Sequence, residues 1–92
     1  MPPEKTDLIV EVARLNHFLR NNQLVQAHAI AQKVEVMINR ALASVKGDAT
    51  KHPYFEAYTQ ALQVKSCILS GKTNDAKGYC EHVGIILTKE SA

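Results

Sequence analysis

The side chains best suited to holding a metal ion lie in the second half of the chain. They are two histidines and two cysteines: His52, Cys67, Cys80 and His82. Such donors form a zinc site only when they converge on one point. Cys80 and His82 stand two positions apart in a predicted helix and project about 200° apart around its axis, so both cannot face one ion. The sequence therefore predicts no metal site and no other cofactor.

The two cysteines also indicate a cellular compartment. Cys67 and Cys80 lie within helical patterns, and two cysteines are too few for the disulfide framework of a small secreted scaffold. No apolar run approaches the roughly 18 residues of a membrane span. The first residues, MPPEKTDLIVEV, carry acids where a signal peptide would carry positive charge. We therefore expect buried free thiols and a cytoplasmic chain without a membrane segment.

Residues arranged for catalysis are sparse. His17 and His28 flank one turn, where exposed polar-face histidines are the simpler interpretation, and the carboxylates are too scattered for an acid–base pair. A Cys–His pair could still meet in the fold, but no pattern indicates one. Gly78 and Gly84 lie inside a predicted helix, where they suit close helix packing and not a phosphate loop. The sequence predicts a protein that is not an enzyme.

Net charge does not select nucleic acid as the partner. Eleven Lys and Arg against nine Asp and Glu give +2, too little for the long-range field of a dedicated nucleic-acid binder. A basic strip is conceivable on four residues: Arg20, Lys33, Arg40 and Lys46. Because Glu35 interrupts it, a solvated helix face is the simpler interpretation. The basic strip leaves one alternative function, that of a small nucleic-acid-associated helical regulator of phage or plasmid type.

The first half of the chain reads as one helical hairpin, at about residues 4–46. Its first helix, predicted over about 4–21, has a hydrophobic stripe at helical spacing: Leu8, Val12, Leu15 and Leu19. Glu11, Arg14 and His17 fall outside that stripe. Asn21-Asn22 predicts a turn, since Asn tolerates the left-handed conformation. The second helix is predicted from Leu24 to Lys46, and Gly47 stops it.

The second half repeats this pattern at about residues 53–89. Pro53 starts the third helix, Ser70-Gly71 ends it, and Thr73 or Asn74 is the expected N-cap of the fourth. The connections are short and no segment alternates with the period of a strand. With 92 residues and 46% hydrophobic content, the chain is predicted to be a single all-α domain, 1–92, of four antiparallel helices.

The two hairpins align when the sequence is superimposed on itself so that Asn22 falls on Gly71. Ala27 then falls on Ala76, and the flanking hydrophobic positions also coincide. A left-handed residue at the corner and a small residue at the helix crossing are the shared physical requirements. The sequence therefore predicts two stacked repeats whose closest crossings are at Ala27 and Ala76.

The turn Gly71-Lys-Thr-Asn-Asp-Ala76 resembles that of a tetratricopeptide repeat, and Asn22-Gln-Leu-Val-Gln-Ala27 has the same spacing. The offset is longer than the family's period of about 34 residues, and the first hairpin lacks the family's large aromatic residue. The resemblance implies a non-enzymatic interaction module, such as an adaptor, chaperone or small regulator, that holds a partner segment.

The family's inner surface, carried onto this chain, implies a groove between the first and third helices. Its expected members are Asn16, Arg20, Tyr58 and Lys65, above a floor of Val12 and Leu19. Arg20 would bind a carboxylate through two hydrogen bonds, Lys65 would act as a point charge and Tyr58 would add stacking area.

Two hairpins are also expected to leave apolar surface uncovered. Stacked-hairpin proteins need about three units to cover their apolar faces. Ala41, Leu42 and Val45 extend the stripe of the second helix beyond the shorter first helix, although the third helix could cover part of that extension. We therefore expect a protein partner or a second copy of the chain to close the seam.

Overall fold

Four α-helices make up nearly all of the chain in a computed structural model that describes residues 5–89. They are α1 (Lys5–Arg20), α2 (Leu24–Ala43), α3 (Pro53–Leu69) and α4 (Thr73–Lys89), with one turn of 3₁₀ helix at Ala49–Lys51. No strand occurs within this part of the chain. The predicted all-α, four-helix arrangement is confirmed. The predicted first helical residue, Glu4, lies outside the described residues.

The helices form a closed ring around one core. Each helix packs against two others, through the interfaces α1/α2, α2/α3, α3/α4 and α4/α1. Because the connections are short, successive helices run in opposite directions. The bundle measures 38 × 21 × 21 Å. The pair α4/α1 closes the ring, so α1 and α3 lie on opposite sides of the core.

The two hairpin corners share one backbone geometry. Asn22 and Gly71 have positive φ angles of 57° and 76°, the left-handed conformation that ends many helices. In both turns the next residue's amide donates to the carbonyl five positions earlier, at 2.9 Å after Asn22 and 2.8 Å after Gly71. The predicted turns at these positions are confirmed, down to matching hydrogen bonds.

The first turns of α2 and α4 also correspond. The amide of Ala27 donates to the Gln23 carbonyl at 2.9 Å, and that of Ala76 donates to the Lys72 carbonyl at 3.0 Å. Both alanines have no exposed surface. Since Thr73 is the first helical residue of α4, the predicted N-cap at Thr73 or Asn74 is wrong, and the carbonyl of the preceding residue begins the helical ladder.

The end of α2 differs from its predicted position. The helix stops at Ala43 rather than Lys46, because the amides of Ser44 and Val45 donate to carbonyls three residues back and tighten the last turn. The apolar extension that was expected to stay open is buried or half-buried: Ala41, Leu42 and Val45. That part of the predicted seam is covered within the chain.

One carboxylate lies inside the α1/α2 interface. The side chain of Glu11 is 7% exposed and lies 2.9 Å from the Lys33 ammonium and 2.6 Å from the Arg14 guanidinium. Burial raises the pKa of Glu11, but the hydrogen bonds and charges of Lys33 and Arg14 outweigh it, so the pKa is lowered from 4.5. The prediction that Glu11 lies on the polar face is wrong, because Lys33 lets the charge be buried.

Neither helical glycine of α4 makes the tight packing contact that the sequence predicts. A Cβ placed on Gly78 would meet no atom within 4 Å, and one on Gly84 would lie 3.7 Å from Val12 Cγ1, an ordinary contact distance. Gly78 is also exposed. The prediction is wrong for Gly78, and Gly84 faces α1 with room to spare.

Gly78→Ala is expected to stabilise the fold by about 0.5–1 kcal/mol, because alanine loses less backbone entropy in a helix and the new methyl group meets open space. Urea denaturation followed by circular dichroism measures the change. A loss of stability would show that Gly78 has a packing role.

Candidate partner-binding groove

A cleft of about 320 Å³ runs between α1 and α4, the two helices that close the ring. One face of α1 supplies its first wall: Ile9, Val12, Ala13, Asn16 and Arg20. These residues recur at intervals of three and four positions, so they share one side of the helix. The wall is apolar for most of its length and becomes polar towards the end of α1.

The second wall comes from α4, in the same repeating pattern. Its residues are Cys80, Glu81, Gly84, Ile85 and Thr88. Because Gly84 has no side chain, it leaves space opposite Val12, and Ala13 adds only a methyl group on the other wall. Ile85 is 53% exposed. Small residues therefore shape the cleft, and one large apolar side chain is presented to solvent beside it.

The rim of the cleft carries polar groups that are not engaged within the described chain. The side chains of Asn16, Arg20 and Glu81 form no hydrogen bond or ion pair with another residue of 5–89. Arg20 and Glu81 are exposed, and Asn16 is half-buried. A guanidinium and an amide at one end of an apolar cleft can bind an acidic or amide group of a ligand without breaking an internal contact.

Cys80 lines the cleft but is not a reactive thiol. Its side chain has no exposed surface, and its Sγ lies 3.8 Å from the Val12 carbonyl oxygen, to which the thiol donates. Burial raises the pKa of Cys80 to about 12, against a lowering by the Arg20 charge. The thiolate is the nucleophilic form, so Cys80 is a packing residue of the α1/α4 interface.

The structure separates the six residues predicted to line one groove. Asn16 and Arg20 lie together in the α1/α4 cleft. Val12 reaches this cleft but is 6% exposed, and Leu19 is buried in the core. The two α3 residues, Tyr58 and Lys65, lie across the bundle from α1. Lys65 Nζ is 2.8 Å from Glu35 Oε2 of α2, so its charge is used in an internal ion pair.

The α4 wall was missed from sequence. The available signal was the run of small residues at four-residue spacing, Cys80, Gly84 and Thr88, with Ile85 beside it. That spacing places the residues on one helix face. It does not identify the helix against which that face packs. The resemblance to tetratricopeptide repeats predicted α3 as the opposite side of the groove.

The four residues of the conceivable basic strip have different surroundings. Lys33 pairs with Glu11 between α1 and α2, and Arg20 lines the α1/α4 cleft. Arg40 is exposed on α2 and Lys46 follows that helix. The four residues thus come from α1, α2 and the segment that follows α2, and Lys33 and Arg40 are both exposed on α2.

Two further properties concern residues 5–89. No three His, Cys, Asp or Glu side chains in this range lie close enough together to hold a metal ion. None of the described helices has the length and apolar character needed to cross a membrane.

Comparisons with protein-family models, curated proteins and solved structures find no match for the chain. The resemblance to tetratricopeptide repeats therefore stays a prediction carried by the turn residues.

Proposed function

We propose that the protein is a non-enzymatic interaction module, such as an adaptor, chaperone or small regulator, that holds an amphipathic helix of a partner protein in the α1/α4 cleft. The observation that carries this proposal is an apolar cleft rimmed by unengaged polar groups. Recognition of a helix in a groove relies on apolar anchors at helical spacing along such a cleft.

The walls provide the apolar part of the binding surface. Ile9 is half-buried and Ile85 is more exposed than buried, and both face the cleft. Covering these side chains with a partner's apolar face removes their surface from water, which favours association by roughly 25 cal/mol per Å². Ala13 and Gly84 leave room for the partner's larger side chains between them.

Arg20 selects for an acidic residue in the partner helix. Its guanidinium is exposed and free of internal ion pairs within the described residues, so a carboxylate of the partner can bind it through two parallel hydrogen bonds. Glu81 on the opposite wall disfavours a second acid close by. The partner helix is therefore expected to carry one acidic residue near Arg20, and apolar residues along the rest of its bound face.

The proposal places the module in the cytoplasm. Cys67 and Cys80 are both free and buried. Free thiols suit a reducing compartment, in which disulfides are rare.

Photocrosslinking in the cells that produce the protein tests the site directly. A photoreactive amino acid at Ala13, in the cleft, is expected to crosslink one partner protein, whereas the same probe at Ala29, exposed on α2, is not. A product of twice the chain's mass would identify a second copy as the occupant and contradict a separate partner. Equal crosslinking from both positions, or none from Ala13, would overturn the cleft as the binding site.

A matched pair of variants measures the contribution of the cleft. Ala13→Glu places a charge in the apolar cleft and is expected to weaken capture of the crosslinked partner by roughly tenfold or more. Ala29→Glu adds the same charge on α2 and should leave capture unchanged. If instead the chain binds duplex DNA with an affinity that falls steeply with salt, the nucleic-acid alternative is correct.

A further inference from the structure

A second cavity, of about 600 Å³, lies where the start of α3 meets the last turns of α4. Four basic side chains line it: Lys51, His52, His82 and Lys89. They come from two segments, the adjacent residues Lys51 and His52 just before α3 and the last turns of α4. The fold therefore brings Lys51 and His52 together with α4 residues that lie at least thirty positions later in the sequence.

The charge around this cavity is positive. Glu56 is its acidic lining residue, and its Oε1 lies 3.6 Å from His82 Nε2, so the carboxylate faces the imidazole. Lys51 and Lys89 form no ion pair with another residue of 5–89. Two ammonium groups and one carboxylate leave a net positive charge even when both histidines are neutral.

His52 caps α3 through one ring nitrogen, and this contact determines which ring nitrogen carries the proton. Its Nδ1 accepts a hydrogen bond from the Tyr54 amide at 3.1 Å and caps α3. An imidazole that accepts at Nδ1 carries its proton at Nε2. The backbone amides of this helix end are already engaged, since the Phe55 amide donates to the His52 carbonyl. An anion here would thus be held by side chains.

The rest of the lining is apolar apart from Thr50, whose hydroxyl donates to Asp48 Oδ1. Pro53, Phe55, Ile85 and Ile86 line the cavity beside the basic groups, and Phe55 provides an aromatic face. A cavity of this volume falls within the range of about 300–1,000 Å³ typical of small-molecule sites. The combination of cationic and apolar walls fits a ligand with an anionic group on an apolar body.

We propose that this cavity, the basic cavity, binds a small organic phosphate monoester with its phosphate between Lys51 and Lys89 and its apolar part against Phe55. A phosphate monoester carries about −1.5 to −2 charge near pH 7 and three acceptor oxygens. Two ammonium groups and the His52 Nε2–H match that charge and those acceptors better than a single carboxylate would. Ile85 lines both this cavity and the α1/α4 cleft, whereas the residues that would hold the phosphate line the basic cavity alone.

Titration of the full chain with phenyl phosphate, followed by two-dimensional amide NMR, tests the proposal. Saturable shifts are expected at the basic cavity, with inorganic phosphate binding at least severalfold more weakly and phenol not binding. Equal affinity for inorganic phosphate would overturn the role of the apolar wall, and equal affinity for phenol would overturn anion recognition. The absence of saturable shifts up to millimolar phenyl phosphate would overturn the site itself.

Charge-matched variants separate this site from general electrostatics. Lys51→Gln with Lys89→Gln is expected to weaken phenyl phosphate at least tenfold. Lys72→Gln with Lys77→Gln removes the same charge near the α3/α4 corner, at the other end of α4, and should change the affinity less than twofold. Amide spectra verify that both variants are folded. Equal losses in the two variants would overturn the site.

Removing the acidic residue provides a test of opposite sign. Glu56→Gln leaves the lysines intact and takes away the one carboxylate of the cavity, so phenyl phosphate is expected to bind severalfold more tightly. This result cannot arise from damage to the fold. Weaker or unchanged binding in Glu56→Gln would contradict the proposed electrostatic basis.

Discussion

Ala27→Leu and Ala76→Leu are each expected to lower the free energy of unfolding by about 1–3 kcal/mol. Both alanines have no exposed surface and occupy equivalent positions in the first turns of α2 and α4. A leucine there must displace atoms of a closely packed neighbouring helix, because protein interiors leave few voids. The double variant would lose a large share of the roughly 5–15 kcal/mol that stabilises a typical domain.

Urea denaturation followed by circular dichroism measures these losses. Ala29→Leu is the matched control, since Ala29 is an exposed residue of the same helix as Ala27 and its substitution should change stability by less than about 0.5 kcal/mol. If both buried alanines accept leucine without loss, the small residue is not needed at the crossings, and the argument for two equivalent hairpins fails.

The helices and corners could be predicted because their signals are local. The 3.6-residue hydrophobic period selects helix, and Asn22 and Gly71 are residue types that adopt positive φ at low cost. These features act over a few residues, so they work without knowledge of the tertiary arrangement. The end of α2 was less predictable, because the 3₁₀ hydrogen bonds after Ala43 compete with further helix on nearly equal terms.

The arrangement of the helices could not be predicted in the same way. A hydrophobic stripe shows which face of a helix is buried, and does not show which helices it meets. The cleft forms where α1 packs against α4, the first and last of the described helices. Asn16 and Arg20 were predicted from the resemblance to tetratricopeptide repeats, whose inner surface was carried onto the first helix. The α4 residues of the opposite wall could not be predicted, because the hydrophobic periodicity does not determine which helix packs against α1.

Glu11 shows the same limit in energetic terms. A charged residue is assigned to the polar face of a helix because burial of an unpaired charge is costly. Here the cost is offset by Lys33, a residue of another helix, together with the neighbouring Arg14. The sequence contains both partners, but only the packing of α1 on α2 brings Lys33 to the carboxylate.

Lys33→Gln is therefore expected to lower stability at pH 7 by roughly 1–2 kcal/mol, a figure that allows for the half-exposed lysine. Although burial raises the pKa of Glu11, Lys33 and Arg14 lower it below 4.5. The folded state thus binds this proton more weakly than the unfolded state. The resulting stability is complete above pH 4.5 and is lost as the pH falls through the lowered pKa.

The difference in stability between the original protein and Lys33→Gln should accordingly be largest near neutral pH and shrink in acid. Urea denaturation at pH 7 and at about pH 3 measures it, since the ionised carboxylate is what Lys33 stabilises. Lys72→Gln removes an exposed lysine outside the described ion pairs and should show a small, nearly pH-independent difference. A loss for Lys33→Gln that is equally large at both pH values would mean that Lys33 acts through the packing of its aliphatic stem and not through the charge of Glu11.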